Sequence, residues 1–350
     1  MSDWEFFRRL MMVVGVAVLG LLVWRLSDAL LLLFGAVLIG LLLSGGADAI
    51  SRKTGLPRIL SLTLVILPVI AIALGVAVLF GAQISAQLSE LGQRLPGAID
   101  SIEQRFHLGD ISGRILQEAQ SNTSSILYQI TSWAGAILGA LANTVLLVVA
   151  AGFFAADPEP YRLGTLKLFP EKLRPQIAQT MEYAAAALRQ WLIGQLMAVV
   201  MIGATTAIGL WWIGLPSPLA LGLIAGIAEF VPLIGPFLGA LPATLLALSL
   251  GWSEVAWVLG LFLLIQQVES NMITPIIQRR MVSLPPVLTL FAIVCFGLLF
   301  GPLGVLFATP LAVFLFVAVN QLWVRGLLNE PTEVPGEKEV LEKKREEAGV

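Results

Sequence analysis

Two glutamates stand out in a part of the chain that carries almost no other charge. Between residues 190 and 324 the charged side chains are Glu229, Glu254, Glu269, Arg279 and Arg280. A carboxylate is costly to bury in apolar surroundings, so it persists there for a function or inside a compensating polar network. A buried carboxyl group can bind and release a proton, a cation or a polar solute. Glu229 and Glu269 are therefore candidate binding-site residues, with a structural network as the alternative.

Prolines interrupt the sequence directly after Glu229. Pro232 has no N–H group, so the carbonyl of Ala228 loses its helical partner, and Pro236 does the same four residues later. Gly235-Pro236 is a turn signal within apolar sequence. As helices, the flanking stretches 219–234 and 237–250 would be only about 24 and 21 Å long. These features predict a broken or re-entrant helical hairpin whose free carbonyls lie beside the carboxylate.

A second polar cluster ends a later apolar helix. Its members are Gln266, Gln267, Glu269, Ser270 and Asn271. At about 100° per residue they cover a broad arc, which must face protein or water rather than lipid. Pro275 removes the partner of the Asn271 carbonyl, so we expect the helix to unwind here. Glu254 differs, because it follows a Gly-Trp-Ser turn and suits the first turn of a helix.

A weak internal repeat connects two regions of this half. Residues 234–239 read Ile-Gly-Pro-Phe-Leu-Gly, and residues 300–304 read Phe-Gly-Pro-Leu-Gly around Gly301 and Pro302. Each is followed by a further proline, Pro242 or Pro310. Inverted repeats of this kind flank binding sites in transporters, although Gly-Pro helix turns also converge by chance.

The amino-acid composition excludes several classes of protein. The chain has 350 residues, of which 57% are hydrophobic and only 13% charged, with a mean hydropathy of +0.89. Soluble domains carry about 25% charged residues, so a soluble enzyme, a disordered chain and a secreted disulfide scaffold are excluded. The net charge of −2 gives no reason to expect a nucleic-acid partner. With one histidine and one cysteine, we expect no metal site, no cofactor and no internal disulfide.

Apolar runs and basic clusters together predict a membrane topology. The runs are Leu10–Trp24, Ala29–Gly46, Ile59–Gly81, Trp133–Ala155, Trp191–Leu215, Leu219–Ile234, Phe237–Leu250, Val255–Met272, Pro285–Phe300 and Leu303–Trp323. Counting each run as one crossing places all five basic clusters on the same side, which is then the cytoplasmic side. The fold class is therefore an all-α polytopic membrane protein with both termini in the cytoplasm.

Six segments follow from this topology. They are N-terminal transmembrane helices at 1–82, an extracytoplasmic amphipathic helical segment at 83–132, a transmembrane helix at 133–156, a cytoplasmic amphipathic linker at 157–189, a charge-poor transmembrane core at 190–325 and a charged cytoplasmic tail at 326–350. We expect residues 172–188 to form a helix on the membrane surface and the tail to be partly disordered. His107 in the outer segment is expected to be an ordinary surface residue.

Several of these motifs resemble one protein family. Glu229-Phe230-Val231-Pro232 followed by Gly235-Pro236, then Gln267-x-Glu269-x-Asn271, and finally Gly301-Pro302 resemble the autoinducer-2 exporter family, also called PurR-regulated permeases. The resemblance implies a bacterial inner-membrane protein with about eight transmembrane helices. It also implies export of autoinducer-2 or sodium (lithium)/proton exchange. Ten apolar runs reduce to eight crossings if one hairpin is re-entrant.

The functional prediction is a secondary transporter for a small solute or cation, with a proton or sodium as coupling ion. No Gly-rich loop ending in Gly-Lys-Ser/Thr indicates ATP hydrolysis, and no Ser-His or His-Glu-x-x-His pattern indicates an enzyme. The alternatives are a passive oligomeric channel and a membrane scaffold or regulatory protein. Small residues on the apolar helices and the amphipathic outer segment lead us to expect a homo-oligomer in the lipid bilayer.

Overall fold

The computed structural model describes residues 3–71, 145–232, 234–248, 250–273 and 284–348. In these ranges the regular secondary structure is helical, without a strand. The predicted extracytoplasmic segment 83–132 with His107, Pro275 and the Arg279-Arg280 pair lie outside the described residues. The apolar run that begins at Ile59 is described only as far as Ala71.

The helices follow the apolar runs closely. They are α1 (Asp3–Arg25), α2 (Ser27–Thr54), α3 (Arg58–Ala71), α4 (Val145–Ala156), α5 (Glu159–Lys167), α6 (Arg174–Ile213), α7 (Pro218–Ala228), α8 (Gly235–Leu248), α9 (Trp252–Val268), α10 (Pro286–Ala318) and α11 (Glu337–Ala348). A π-helical turn, Glu269–Ile273, continues α9, and another, Val319–Arg325, continues α10.

Three helical stretches are long and apolar enough to cross a membrane. They are Ser27–Thr54, Arg174–Ile213 and Pro286–Arg325. Shorter apolar helices, among them α3, α4, α7 and α8, accompany them. A helix needs about 20 apolar residues to span the hydrocarbon core, and several such helices in one chain make a multi-pass membrane protein. The prediction of an all-helical membrane fold is thereby confirmed.

The longest helix, α6, joins the polar linker after α4 to the apolar core. It runs for 40 residues without interruption, so residues 174–188 begin this helix rather than forming a separate helix on the membrane surface as predicted. Tyr183, Ala187 and Leu188 are buried in a core cluster with Leu38 of α2 and Val313 of α10. The apolar face of the segment is therefore covered by protein, because α2, α10 and the tail pack on it.

The C-terminal tail is ordered, contrary to the expected partial disorder. The guanidinium of Arg325 donates two hydrogen bonds to Glu337, each 2.8 Å long, and a third to the Thr332 carbonyl. Val334 is buried in the same cluster as Tyr183 of α6. A bidentate ion pair and a buried valine together hold the tail against the N-terminal part of α6.

Glycines let α6, α7 and α8 approach one another closely. A Cβ atom on Gly222 of α7 would lie 2.5 Å from the Gly203 carbonyl oxygen of α6, and one on Gly226 would lie 2.6 Å from the Val199 oxygen. On α8, a Cβ atom on Gly239 would lie 2.7 Å from the Ala225 Cα. Small residues of this kind permit backbone-to-backbone packing within membranes. They fix α7 and α8 as a hairpin against α6.

A sharp bend at Gly301 divides α10, where the sequence predicts a break. Gly301 has φ 63° and ψ −147°, a conformation that side chains other than glycine rarely adopt. Phe296 and Gly304, eight residues apart, are in contact across the bend, whereas a straight helix would separate them by about 12 Å. Pro302 opens the second arm, as Pro236 does in α8.

Candidate functional site

The candidate site begins at the turn between α7 and α8. Helix α7 ends at Ala228, and the Glu229 N–H donates to the Ala225 carbonyl at 3.1 Å. The Val231 N–H donates to the Ala228 carbonyl at 3.1 Å, and the Gly235 N–H donates to the Val231 carbonyl at 2.8 Å. The Ala228 carbonyl is therefore hydrogen-bonded. The prediction that Pro232 leaves it free is wrong, because the turn tightens and supplies a donor three residues ahead.

Glu229 carries its carboxyl group into the protein interior. The residue is 3% exposed, and its Oε2 atom has no hydrogen-bond partner in the described protein. The carboxyl groups of Glu229 and Glu269 lie close enough to interact with each other. Two ionised carboxylates only accept hydrogen bonds and repel each other, so a proton on either group would relieve that repulsion. The two glutamates thus form a carboxyl pair between the end of α7 and the end of α9.

Glu269 enters the pair from the end of α9. It is half-buried and begins the π-helical turn, where the helical register widens. The Gln266 side-chain amide donates to its Oε2 atom at 3.4 Å. Isolated π-helical turns are often found at functional sites, because they redirect a side chain within a helix. The helix continues through Ile273 as this π-helical turn, and the unwinding predicted at Pro275 lies outside the described residues.

Two of the predicted polar residues lie away from the carboxyl pair. The Asn271 side-chain amide donates to the backbone carbonyl of Gln267 at 2.8 Å and to its side-chain oxygen at 3.1 Å. Both residues are exposed, and they line a surface groove with Leu263, Leu264 and Val268. The structure therefore places Gln266 at the carboxyl pair and Gln267 and Asn271 on the outer side of the helix.

Helix α6 contributes two residues that the sequence analysis missed. The Gln195 side-chain amide donates to the Glu229 carbonyl at 2.6 Å, and Gln195 is only 6% exposed. One turn earlier, the buried Trp191 ring packs edge-to-face on Phe230 at 5.7 Å between ring centroids. Residues four apart share one face of a helix, so Trp191 and Gln195 hold the turn together. In the sequence, the feature that could have identified Gln195 is the position of a glutamine within an apolar run.

The two Gly-Pro breaks converge on one part of the core. Phe230, in the turn before Gly235-Pro236, packs against the cluster that contains Trp191 and Phe307. Phe300 and Leu303, on either side of Gly301-Pro302, pack against the same cluster. Residues next to both breaks therefore pack against one core cluster, to which α6 contributes Trp191.

The match to known proteins extends over almost the whole chain. The model of a family described as "AI-2E family transporter" matches residues 10–323. The chain belongs to this family. The resemblance seen in the Glu-Phe-Val-Pro and Gln-x-Glu-x-Asn motifs is thereby confirmed, and this AI-2E family member is a multi-pass membrane protein of a transporter family.

Individual relatives of this AI-2E family member share low sequence identity with it. Two Bacillus subtilis relatives are both named "Putative transport protein": YrrI is 31% identical over 45% of each chain, and YueF is 24% identical over 73% of this chain and 74% of its own. The AI-2 transport protein TqsA of Escherichia coli is 24% identical over 76% of this chain and 78% of its own. The names agree on transport.

Proposed function

We propose that this AI-2E family member is a secondary transporter that moves a small polar solute or a monovalent cation, with the Glu229–Glu269 pair as its proton-binding site. The observation that carries this proposal is the approach of buried Glu229 to half-buried Glu269 in a helical core with few other charges. The turn that holds Glu229 and the π-helical turn that holds Glu269 are two of the places in the core where regular helix geometry is broken.

Charge balance explains how such a pair would couple two fluxes. With one shared proton the pair carries a single negative charge, and loss of that proton brings two negative charges together. A cation, or a solute that donates hydrogen bonds, compensates the second charge and takes the place of the proton. The Oε2 atom of Glu229 has no hydrogen-bond partner in the described protein and is the acceptor that we assign to such a substrate, beside the Gln266 amide that donates to Glu269. Proton and substrate would then exchange at one site.

The substrate and orientation belong to the same proposal. The name of TqsA and the resemblance to sodium (lithium)/proton antiporters make autoinducer-2, sodium and lithium the first substrates to test. We place the protein in the bacterial inner membrane as a homo-oligomer with both termini in the cytoplasm, because the basic clusters then lie inside. In this orientation an inward proton gradient would drive export of the substrate.

Reconstituted vesicles test the proposal directly. Purified protein in liposomes with an internal pH-sensitive dye receives sodium, lithium or autoinducer-2 under an imposed pH gradient. We expect saturable substrate-driven proton movement, and at least a tenfold loss with Glu229→Gln or Glu269→Gln at equal reconstituted amounts. Glu254→Gln is the matched control, because Glu254 lies in the first turn of α9.

Two outcomes would overturn the proposal. Full coupled flux in both glutamine variants would remove the carboxyl pair from the mechanism. Flux that neither saturates nor responds to the pH gradient would instead favour a passive channel.

A further inference from the structure

The linker between α4 and α6 exposes large apolar side chains outside the membrane-spanning helices. Helix α5 buries none of its residues. Leu163 is 53% exposed, Leu168 is 82% exposed and Leu173 is 47% exposed, and Tyr161 and Phe169 are exposed as well. A short segment with this much uncovered apolar surface requires a partner of low polarity. We call residues 161–173 the linker patch.

The position of the linker patch identifies a lipid surface as that partner. Helix α4 is apolar and ends at Ala156, three residues before α5 begins. The Arg58 guanidinium donates to the Ala155 and Ala156 carbonyls at 3.1 and 3.2 Å. An arginine that caps the end of an apolar helix marks the boundary between hydrocarbon and water. The linker patch therefore starts at the membrane boundary.

The charges of the linker patch favour anionic headgroups. Two acidic residues of this part of the chain have basic partners, since Glu159 lies 3.5 Å from Arg162, which also pairs with Glu182 at 2.7 Å, and Glu171 pairs with Arg174 at 3.7 Å. Lys167 and Lys172 are exposed on either side of Leu168 and Phe169, and in the described part of the chain neither forms an ion pair. Apolar side chains between unpaired lysines are typical of segments that lie in the interface of anionic membranes.

We propose that the linker patch is a membrane-interface anchor, with Leu163, Leu168 and Phe169 inserted at the headgroup boundary and Lys167 and Lys172 bound to anionic phospholipid headgroups. This surface is separate from the Glu229–Glu269 pair, so the proposal stands independently of the proposed transport function. A second copy of the chain and a soluble protein partner are the competing occupants.

A site-specific fluorescent probe tests this placement in the full-length protein. Cys295 is the chain's one cysteine, so Cys295→Ser provides a background for labelling Leu168→Cys with an environment-sensitive dye. The matched control is Glu333→Cys in the C-terminal tail, whose parent side chain is 87% exposed. We expect the probe at position 168 to shift to the blue and to be quenched by shallow nitroxide lipids in nanodiscs with 30% phosphatidylglycerol. The probe at position 333 should remain as in water.

The lysines are tested by changing lipid and side chain together. We expect the inserted fraction of the position-168 probe to fall in pure phosphatidylcholine. Each lysine should contribute about fivefold to the partitioning into the anionic lipid. The double substitution Lys167→Gln and Lys172→Gln should therefore abolish the difference between the two lipids. A position-168 probe as water-exposed as the control would overturn the proposal. A blue shift insensitive to nitroxide lipids, or one present only when a nanodisc holds two copies, would also overturn it and indicate a protein partner. Gel filtration of each labelled variant verifies that it is folded.

Discussion

The ion pair between Arg325 and Glu337 gives a quantitative test of the ordered tail. Glu337→Gln keeps the size of the side chain and removes its charge. Two hydrogen bonds of 2.8 Å to a charged partner contribute roughly 1.5–3 kcal/mol in favourable cases. The two side chains are 33% and 22% exposed, so solvent screening reduces this to about 1–2 kcal/mol. We expect the tail to open roughly 5–30 times more often.

Hydrogen exchange measured by mass spectrometry reads this change locally. We expect amides of residues 337–348 to lose that factor of protection in Glu337→Gln, while amides of α10 keep theirs. Glu333→Gln is the matched control, because its pair with Lys338 is 3.3 Å long and 80–87% exposed. Such exposed pairs contribute only a few tenths of a kcal/mol. Equal protection in both variants would refute the conclusion that the Arg325–Glu337 pair holds the tail.

The pH dependence of the same contact has a definite sign. The hydrogen bond from Arg325 holds the pKa of Glu337 below its ordinary value. A depressed carboxyl pKa contributes stability that is complete above the ordinary glutamate value, about 4.3, and is lost as pH falls through the folded-state value. Burial raises the pKa of Glu339 in the same helix, so its contribution has the opposite pH dependence. The Glu337 contribution is therefore the difference in tail protection between the unsubstituted protein and Glu337→Gln, after correction for intrinsic exchange rates. We expect this difference to be constant from pH 7 to 5 and to fall below pH 4. A difference that changes between pH 5 and 7 would contradict this assignment.

Two further predictions concern the membrane core. Gln195→Leu removes the donor to the Glu229 carbonyl. We therefore expect a loss of roughly 1–3 kcal/mol in stability and slower coupled transport in liposomes. An unchanged melting temperature together with an unchanged transport rate would show that Gln195 does not support the site. Gly301→Ala places a Cβ atom on a backbone with φ 63° and ψ −147°, at a cost of about 1–3 kcal/mol. Thermal unfolding in detergent measures this loss, and Gly260→Ala in the middle of α9 is the matched control, because a Cβ atom there would meet nothing within 4 Å. A melting temperature of Gly301→Ala equal to that of the unsubstituted protein would contradict the bend.

Local features of the fold could be predicted because they depend on neighbouring residues. Pro236 and Pro302 lack an N–H group, and Gly301 accepts a conformation that few residues adopt, so the breaks at these positions follow from covalent structure. The first-turn position of Glu254 followed in the same way from the Gly-Trp-Ser turn and is confirmed. The free Ala228 carbonyl was predicted wrongly, because a tightened turn supplied the Val231 N–H as donor.

Long-range features required the folded chain. Residues 174–188 have the amphipathic pattern of a surface helix, and periodicity alone cannot say whether lipid or protein covers the apolar face. The tail has the composition of a disordered segment, yet one buried valine and one bidentate ion pair are enough to order it. Both errors arose from partners far away in the chain.

The sequence by itself determined that this is an apolar, helical membrane chain, that Glu229 and Glu269 are its unusual charges, and which family it resembles. Hydropathy, proline chemistry and the cost of a buried charge act on each residue locally. Only the tertiary structure decided that these two glutamates, forty residues apart, lie next to each other, that Gln195 holds the turn beside them, and that Gln267 and Asn271 face outward. Glycine-lined contacts between α6 and α7 bring the Gln195 side chain within reach of the Glu229 carbonyl, and that closeness is a property of packing.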